Sequence, residues 1–248
     1  NQLGGLAWMD TSYHVIRMSA AMARPKDVSW ASRNPLIAEF VDNGWLTALI
    51  LGIGKLTDKR HDVISLRRIV DDLKRNQDLL TREHFICHDG LLFDKSSAER
   101  LHWENIAKPN LEAGIYCFGA PTHGPTAYLV TARNHTLFND ICAPVGKVVD
   151  RDDRVAKNIL TGLERLIDDA YTCIEAMRHK FVAHAADEDS RMSFTDARYT
   201  TTRRELQGAL SSLTRVASAI SGYVVPIGHG DMLAFPQFDI LQGLGSQW

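Results

Sequence analysis

The sequence predicts an all-α fold, a bundle of about five main helices with an irregular insertion at residues 82–149. Two observations carry that reading. From Asp153 to His184, Val155, Ile159, Leu163, Leu166, Ala170, Cys173, Met177 and Phe181 recur at three- and four-residue steps. That is the period of an amphipathic helix, here about eight turns long and so able to serve as the spine of a bundle. Four other stretches share the period, and polar or proline-bearing segments separate them. There is no internal repeat and no low-complexity tract.

Taken in order, Leu6, Met9, Tyr13, Ile16, Ala20 and Ala23 give a first helix over about Gly5–Ala23, stopped by Pro25. The second starts at Pro35, a favoured first-turn residue, and runs through Ile37, Phe40, Val41, Trp45, Leu49 and Leu51 to about Thr57. Gly52 and Gly54 inside it imply close packing against a neighbour or a local bend. Ser65 to Leu80 reads as the third, with Leu66, Ile69, Val70 and Leu73 inward. The spine follows, with Asp150, Asp152 and Asp153 just before it, where acidic groups cap free N–H donors. A polar segment then leads to a last helix from Arg203 to Tyr223, with Leu206, Leu210, Leu213, Val216, Ala217 and Ile220 on one face.

Residues 82–149 hold four of the eight prolines and no long period. They read as a connection packed on the helical core, with a short helix at Ala98–Ile106 and a short helix or strand at Tyr128–Thr131. The organisation expected is one domain over residues 1–225 and a Gly-rich tail over 226–248.

Bulk properties narrow the function. With 45% hydrophobic and 23% charged residues, the chain is that of an ordinary globular protein. A net charge of −2 and pI of about 6.6 leave nucleic-acid binding to a local basic patch. Cys87, Cys117, Cys142 and Cys173 lie far apart without CxxC spacing, which fits free thiols in a reducing cytoplasm. No apolar run approaching the length of a membrane span, about 18 residues, is read in the chain, so the expectation is a cytoplasmic protein with no membrane partner.

Arg178-His179-Lys180-Phe181-Val182-Ala183-His184 is the candidate site. A guanidinium keeps its charge, clamps phosphate and stabilises a developing phosphorane. An imidazole titrates near neutrality and moves a proton to or from a hydroxyl. Together they suffice to cleave RNA without a metal or other cofactor, the 2′-hydroxyl attacking to leave a cyclic phosphate. On an ideal helix Arg178 and His184 point about 120° apart. They converge if the helix unwinds before His184, or if a symmetric dimer completes the site. The plain alternative is a solvated basic helix end complementing the dipole. Weaker candidates are Glu83, His84, Cys87 and His88, whose spacing suits a metal but which lack a second ligand cluster. Arg60 and His61 read as a solvated turn that in a bundle could face the same cleft.

RHKFVAH fits the Arg-x(4–6)-His signature of the HEPN superfamily, with five residues between the ends. The upstream block KLTDKRHDVISLRRIVDDL resembles the abortive-infection (AbiU-type) branch, in which an L-x-D…S-L segment precedes R-x-K-x-x-A-H. The resemblance covers about residues 45–80 and 150–223. It implies a helical bundle that dimerises to join two Arg/His pairs, as in metal-independent ribonucleases of phage defence and toxin–antitoxin systems. On that basis Arg178 stabilises the phosphate, His184 is the general acid/base and His179 a supporting polar residue. Lys180, Arg203 and Arg204 are the candidate RNA contacts by their charge, with helix-surface charge the plainer reading of Arg203 and Arg204, and an antitoxin or defence-system protein is the further partner expected. Some members carry a tyrosine two residues after the histidine, where a partner nucleotidyltransferase modifies them. Here that position is Ala186, which does not support such neutralisation. The other class of function left open is a non-catalytic helical dimer that binds a protein or nucleotide.

Overall fold

The computed structural model describes residues 2–22, 35–115, 120–142, 149–178 and 201–224. Its helices are α1 (Gln2–Met22), α2 (Pro35–Leu56), α3 (Leu66–Arg75), α4 (Arg82–Cys87), α5 (Lys95–His102), α6 (Lys108–Glu112), α7 (Tyr128–Ile141), α8 (Lys157–Met177) and α9 (Arg203–Ala219). Among the described residues no strand forms. Two isolated bridges, Thr81 with Arg154 and Cys142 with Val155, are the nearest approach to one. The protein is all-α.

The five long helices read from the sequence are α1, α2, α3, α8 and α9. The insertion is more regular than expected: α7 spans Tyr128–Ile141, well past Thr131, and a wider-pitched turn over Trp103–Ala107 joins α5 to α6. Contacts divide the chain into two compact units. Among the described residues, one contains those within 2–69 and 164–217, the other those within 70–163 and 218–224.

In the first unit α1 packs on α2. Leu6 lies so close to Gly52 that a Cβ there would stand 2.3 Å from a Leu6 methyl, so the glycine is what lets the helices approach. Tyr13 stacks on Trp45 at 4.3 Å and donates to Asp42 at 2.9 Å. The spine's inward stripe is Ile167, Ala170 and Ile174 in this unit, with Leu160 and Leu163 preceding it in the other. Leu163 and Ala170 were expected there. Leu166, Cys173 and Met177 instead flank the stripe, half-buried. Each fully buried Ile contributes roughly 1.5–3 kcal/mol of transfer free energy. Across α9, Leu206, Leu210, Leu213, Val216 and Ala217 are buried as read. Thr202 and Glu205 close its first turn as a capping box: Glu205 accepts from the Thr202 amide at 2.6 Å, and Thr202 Oγ1 accepts from the Glu205 amide at 3.2 Å.

α2 corrects one expectation. By length and composition it is apolar enough to cross a membrane, although Glu39, Asp42 and Lys55 interrupt it. The core helix of a bundle has the same composition, and Leu49, Ile50 and Ile53 are fully buried within the protein. Its first turns differ. Ile37 and Phe40, expected inside, are exposed among the described residues.

The second unit has its own core of Phe85, Ile86, Phe138, Ile141, Val155 and Leu160. Arg82 runs through it with 2% of its surface exposed. Its Nε donates to Asp153 Oδ2 at 3.0 Å and its Nη1 to the His135 carbonyl at 3.3 Å, while the guanidinium covers the Phe138 ring. Asp153 is therefore a buried counter-ion, not a cap of the spine, which begins at Lys157. Removing one member of such a pair leaves the other charge stranded. Arg82→Ala is expected to lower unfolding free energy by about 3–5 kcal/mol, read from the urea midpoint at unchanged slope. A loss under about 1 kcal/mol, the usual worth of an exposed pair, would show that Asp153 is solvated.

Candidate active site

The described residues of the candidate site lie in the first unit, where residues 57–65 join α2 to α3. Thr57, Asp58 and Ser65 are buried there, unusually for polar loop residues. Each finds a partner, as buried polar groups must. Thr57 Oγ1 donates to the Ile53 carbonyl at 3.0 Å. Ser65 Oγ donates to the Asp58 carbonyl at 2.6 Å. The Asp58 carboxylate accepts from the Arg60 amide at 3.0 Å, from Arg60 Nε at 3.3 Å and from Arg60 Nη2 at 3.1 Å. The loop is thus folded around one carboxylate.

The loop is also fastened to the spine. Arg67, at the start of α3 and buried, donates from Nη1 to Asp168 at 2.6 Å and from Nη2 to Glu164 at 3.2 Å. Lys59 lies 3.7 Å from the same Asp168 oxygen. Thr201, ahead of α9, donates to the Cys173 carbonyl at 2.8 Å. The Cys173 thiol is pushed up to about 11, by burial first and the Glu205 charge second. That disfavours the thiolate, which is the reactive form.

Arg178 follows the last residue of α8, where the helix widens to a π-type turn. Such widening recurs at functional sites. Its Nη2 stands 3.7 Å from Asp58 Oδ2, and its side chain is 23% exposed. It lies flat over Gly54, where any Cβ would sit 2.9 Å from Arg178 Nε. Tyr171, about two helical turns earlier, accepts a hydrogen bond from it. Burial resists ionisation of Asp58, but the Arg60 amide and guanidinium, with the Arg178 charge, outweigh it. They hold the carboxyl below its ordinary range.

His179, Lys180 and His184 lie outside the described residues. Arg203 and Arg204 open α9 and line a shallow depression with Asp10, Thr11, His14 and Gln207. Arg203 is engaged: its Nη2 donates to His14 Nδ1 at 2.8 Å and its guanidinium covers the Tyr13 ring. Arg204 is exposed. In the second unit, Glu83 pairs with Arg151, His84 with Thr81, and His88 Nδ1 with the Phe85 carbonyl. Among the described residues no three His, Cys, Asp or Glu side chains are grouped to hold a metal.

Reading side-chain chemistry alone missed Asp58, which with Gly54 seats Arg178. The signal for Asp58 was the Leu56-x-Asp58…Ser65-Leu66 pattern. No family model matches the chain, and neither a curated protein nor a solved structure matches it.

The Asp58 pairing has a definite pH signature. Its folded value lies below the unfolded carboxylate value of about 3.9. The stability it contributes is therefore complete above that unfolded value and is lost as pH falls through the folded one. The melting-temperature difference between the protein and Asp58→Asn is expected to stay flat from about pH 7 to pH 5 and to shrink below about pH 4. A difference that widened on acidification would contradict the pairing.

Proposed function

We propose that the chain is a metal-independent endoribonuclease of the HEPN type, acting as a homodimer in phage defence or a toxin–antitoxin system in the cytoplasm. One observation carries the reading: Arg178 is half-buried at the end of the spine, seated on Gly54 and Tyr171 beside Asp58. A guanidinium fixed before substrate arrives stabilises charge without reorganising, which is what electrostatic catalysis requires. Five residues later the sequence supplies His184.

The reaction follows from these two groups. His184 takes the proton of the 2′-hydroxyl, whose oxygen attacks the adjacent phosphorus. Arg178 neutralises the charge that accumulates on the phosphorane oxygens. The bond to the 5′-oxygen breaks, that oxygen gains a proton from an imidazolium, and a 2′,3′-cyclic phosphate remains. His179 supports the pair, and Lys180, Arg203 and Arg204 contact neighbouring phosphates. A dimer supplies the second imidazole.

A non-catalytic helical dimer is the second reading. The Asp58 pairing favours it too, because an arginine with only a structural task would also keep a carboxylate partner.

Arg178→Ala and His184→Ala are each expected to lose roughly 10²-fold or more in RNA cleavage, with EDTA leaving the unaltered protein fully active. Substantial cleavage by both variants would overturn the site. Loss on chelation would return the chemistry to a metal. Loss of folding in Arg178→Ala with no cleavage by the parent protein would favour the second reading.

A further inference from the structure

Arg60 and Arg178 converge on one carboxylate. Arg60 Nη2 reaches Asp58 Oδ2 at 3.1 Å, and Arg178 Nη2 approaches the same oxygen at 3.7 Å. Asp58 is 7% exposed and cannot move far, because Ser65 holds its carbonyl and the Arg60 amide holds Oδ1. Two guanidinium groups facing one oxygen are already spaced to grip a single oxyanion. Arg60 spends Nε and Nη2 on Asp58. Its side chain remains 66% exposed, and its Nη1 has no hydrogen-bond partner among the described residues. A fork with one edge anchored and the other in solvent is pre-organised for a second anion. Asp62 is the other carboxylate whose charge acts on Arg60.

We propose that Arg60 is a phosphate-binding residue of the same site as Arg178, and that Asp58 is the positioning residue which aims both guanidinium groups at one phosphodiester of single-stranded RNA. This deepens the ribonuclease reading and rests on it for the role of Arg178. Gly54 completes the arrangement, since any side chain there would lift Arg178 off its seat.

The test uses the full chain and a 2′-O-methyl oligoribonucleotide, which binds but cannot be cleaved. Its affinity is measured over a range of salt for the parent, Arg60→Ala and Asp58→Asn proteins. Arg60→Ala is expected to weaken binding about fivefold at 0.1 M salt and to flatten the log–log salt dependence by about 0.7, the worth of one phosphate contact on a single strand. Arg60→Lys, which keeps the charge, should restore the slope. Asp58→Asn should retain the slope, since both arginines remain, while kcat on cleavable RNA falls about tenfold and KM stays within about twofold. Unchanged affinity and slope in Arg60→Ala would overturn the proposal even if the parent protein cleaves RNA. Arg60-dependent binding by a protein that cleaves nothing would refute the ribonuclease reading and leave the Arg60 contact standing.

Discussion

A charged carboxylate taken out of water costs several kcal/mol unless cations and hydrogen bonds meet it. The first unit is arranged around meeting that cost at Asp58. The loop after α2 turns back so that the amide and side chain of Arg60 reach it, and Ser65 fixes its carbonyl. Arg178 arrives from the end of the spine, and Gly54 on α2 leaves the space through which it comes. Elements more than 110 residues apart in sequence are thereby held together by one side chain. The same interaction fixes the group to which the chemistry is assigned, so stability and function meet at one carboxylate.

The second unit solves a similar problem differently. Arg82 and Asp153 are both nearly dry, and backbone bonds stitch the strip from Asp150 to Ala156 against its surroundings, among them Arg82 N–H to the Asp153 carbonyl and Ala156 N–H to the Ile141 carbonyl. Arg82 is enclosed on its sides by Phe138 and the His135 carbonyl. Nothing of its fork is offered outward. Arg60 is the contrast, with the same type of carboxylate partner and two-thirds of its side chain in solvent. Exposure is what separates an arginine that braces a core from one that can take a ligand.

Much of the fold was legible because periodicity is a backbone-level signal. The face of α9 was read correctly from Leu206 to Ala217, with Ile220 half-buried beyond the helix, and the starts of α2 and α9 fell where Pro35 and the Arg203 segment placed them. Gly52 and Gly54 pointed to close neighbours, which are Leu6 and Arg178. What misled was local composition. Three aspartates before the spine suggested a cap, whereas Asp153 serves a buried arginine 71 residues away. Residues 82–149 lacked a period because their helices are short and packed on more than one side, so no single apolar face repeats. The role of Asp58 was hidden for a related reason: in LTDKRHD it sits among charges and looks solvated. Only a long-range partner such as Arg178 distinguishes it from a surface turn.

The most direct test of the account is the chemistry of the RNA ends left by the purified protein in the presence of EDTA. Attack by the 2′-hydroxyl with Arg178 and an imidazole predicts 2′,3′-cyclic phosphate on one fragment and a free 5′-hydroxyl on the other. Fragments carrying a 5′-phosphate and a 3′-hydroxyl would mean that water was the nucleophile, and would contradict the mechanism assigned to Arg178 and His184.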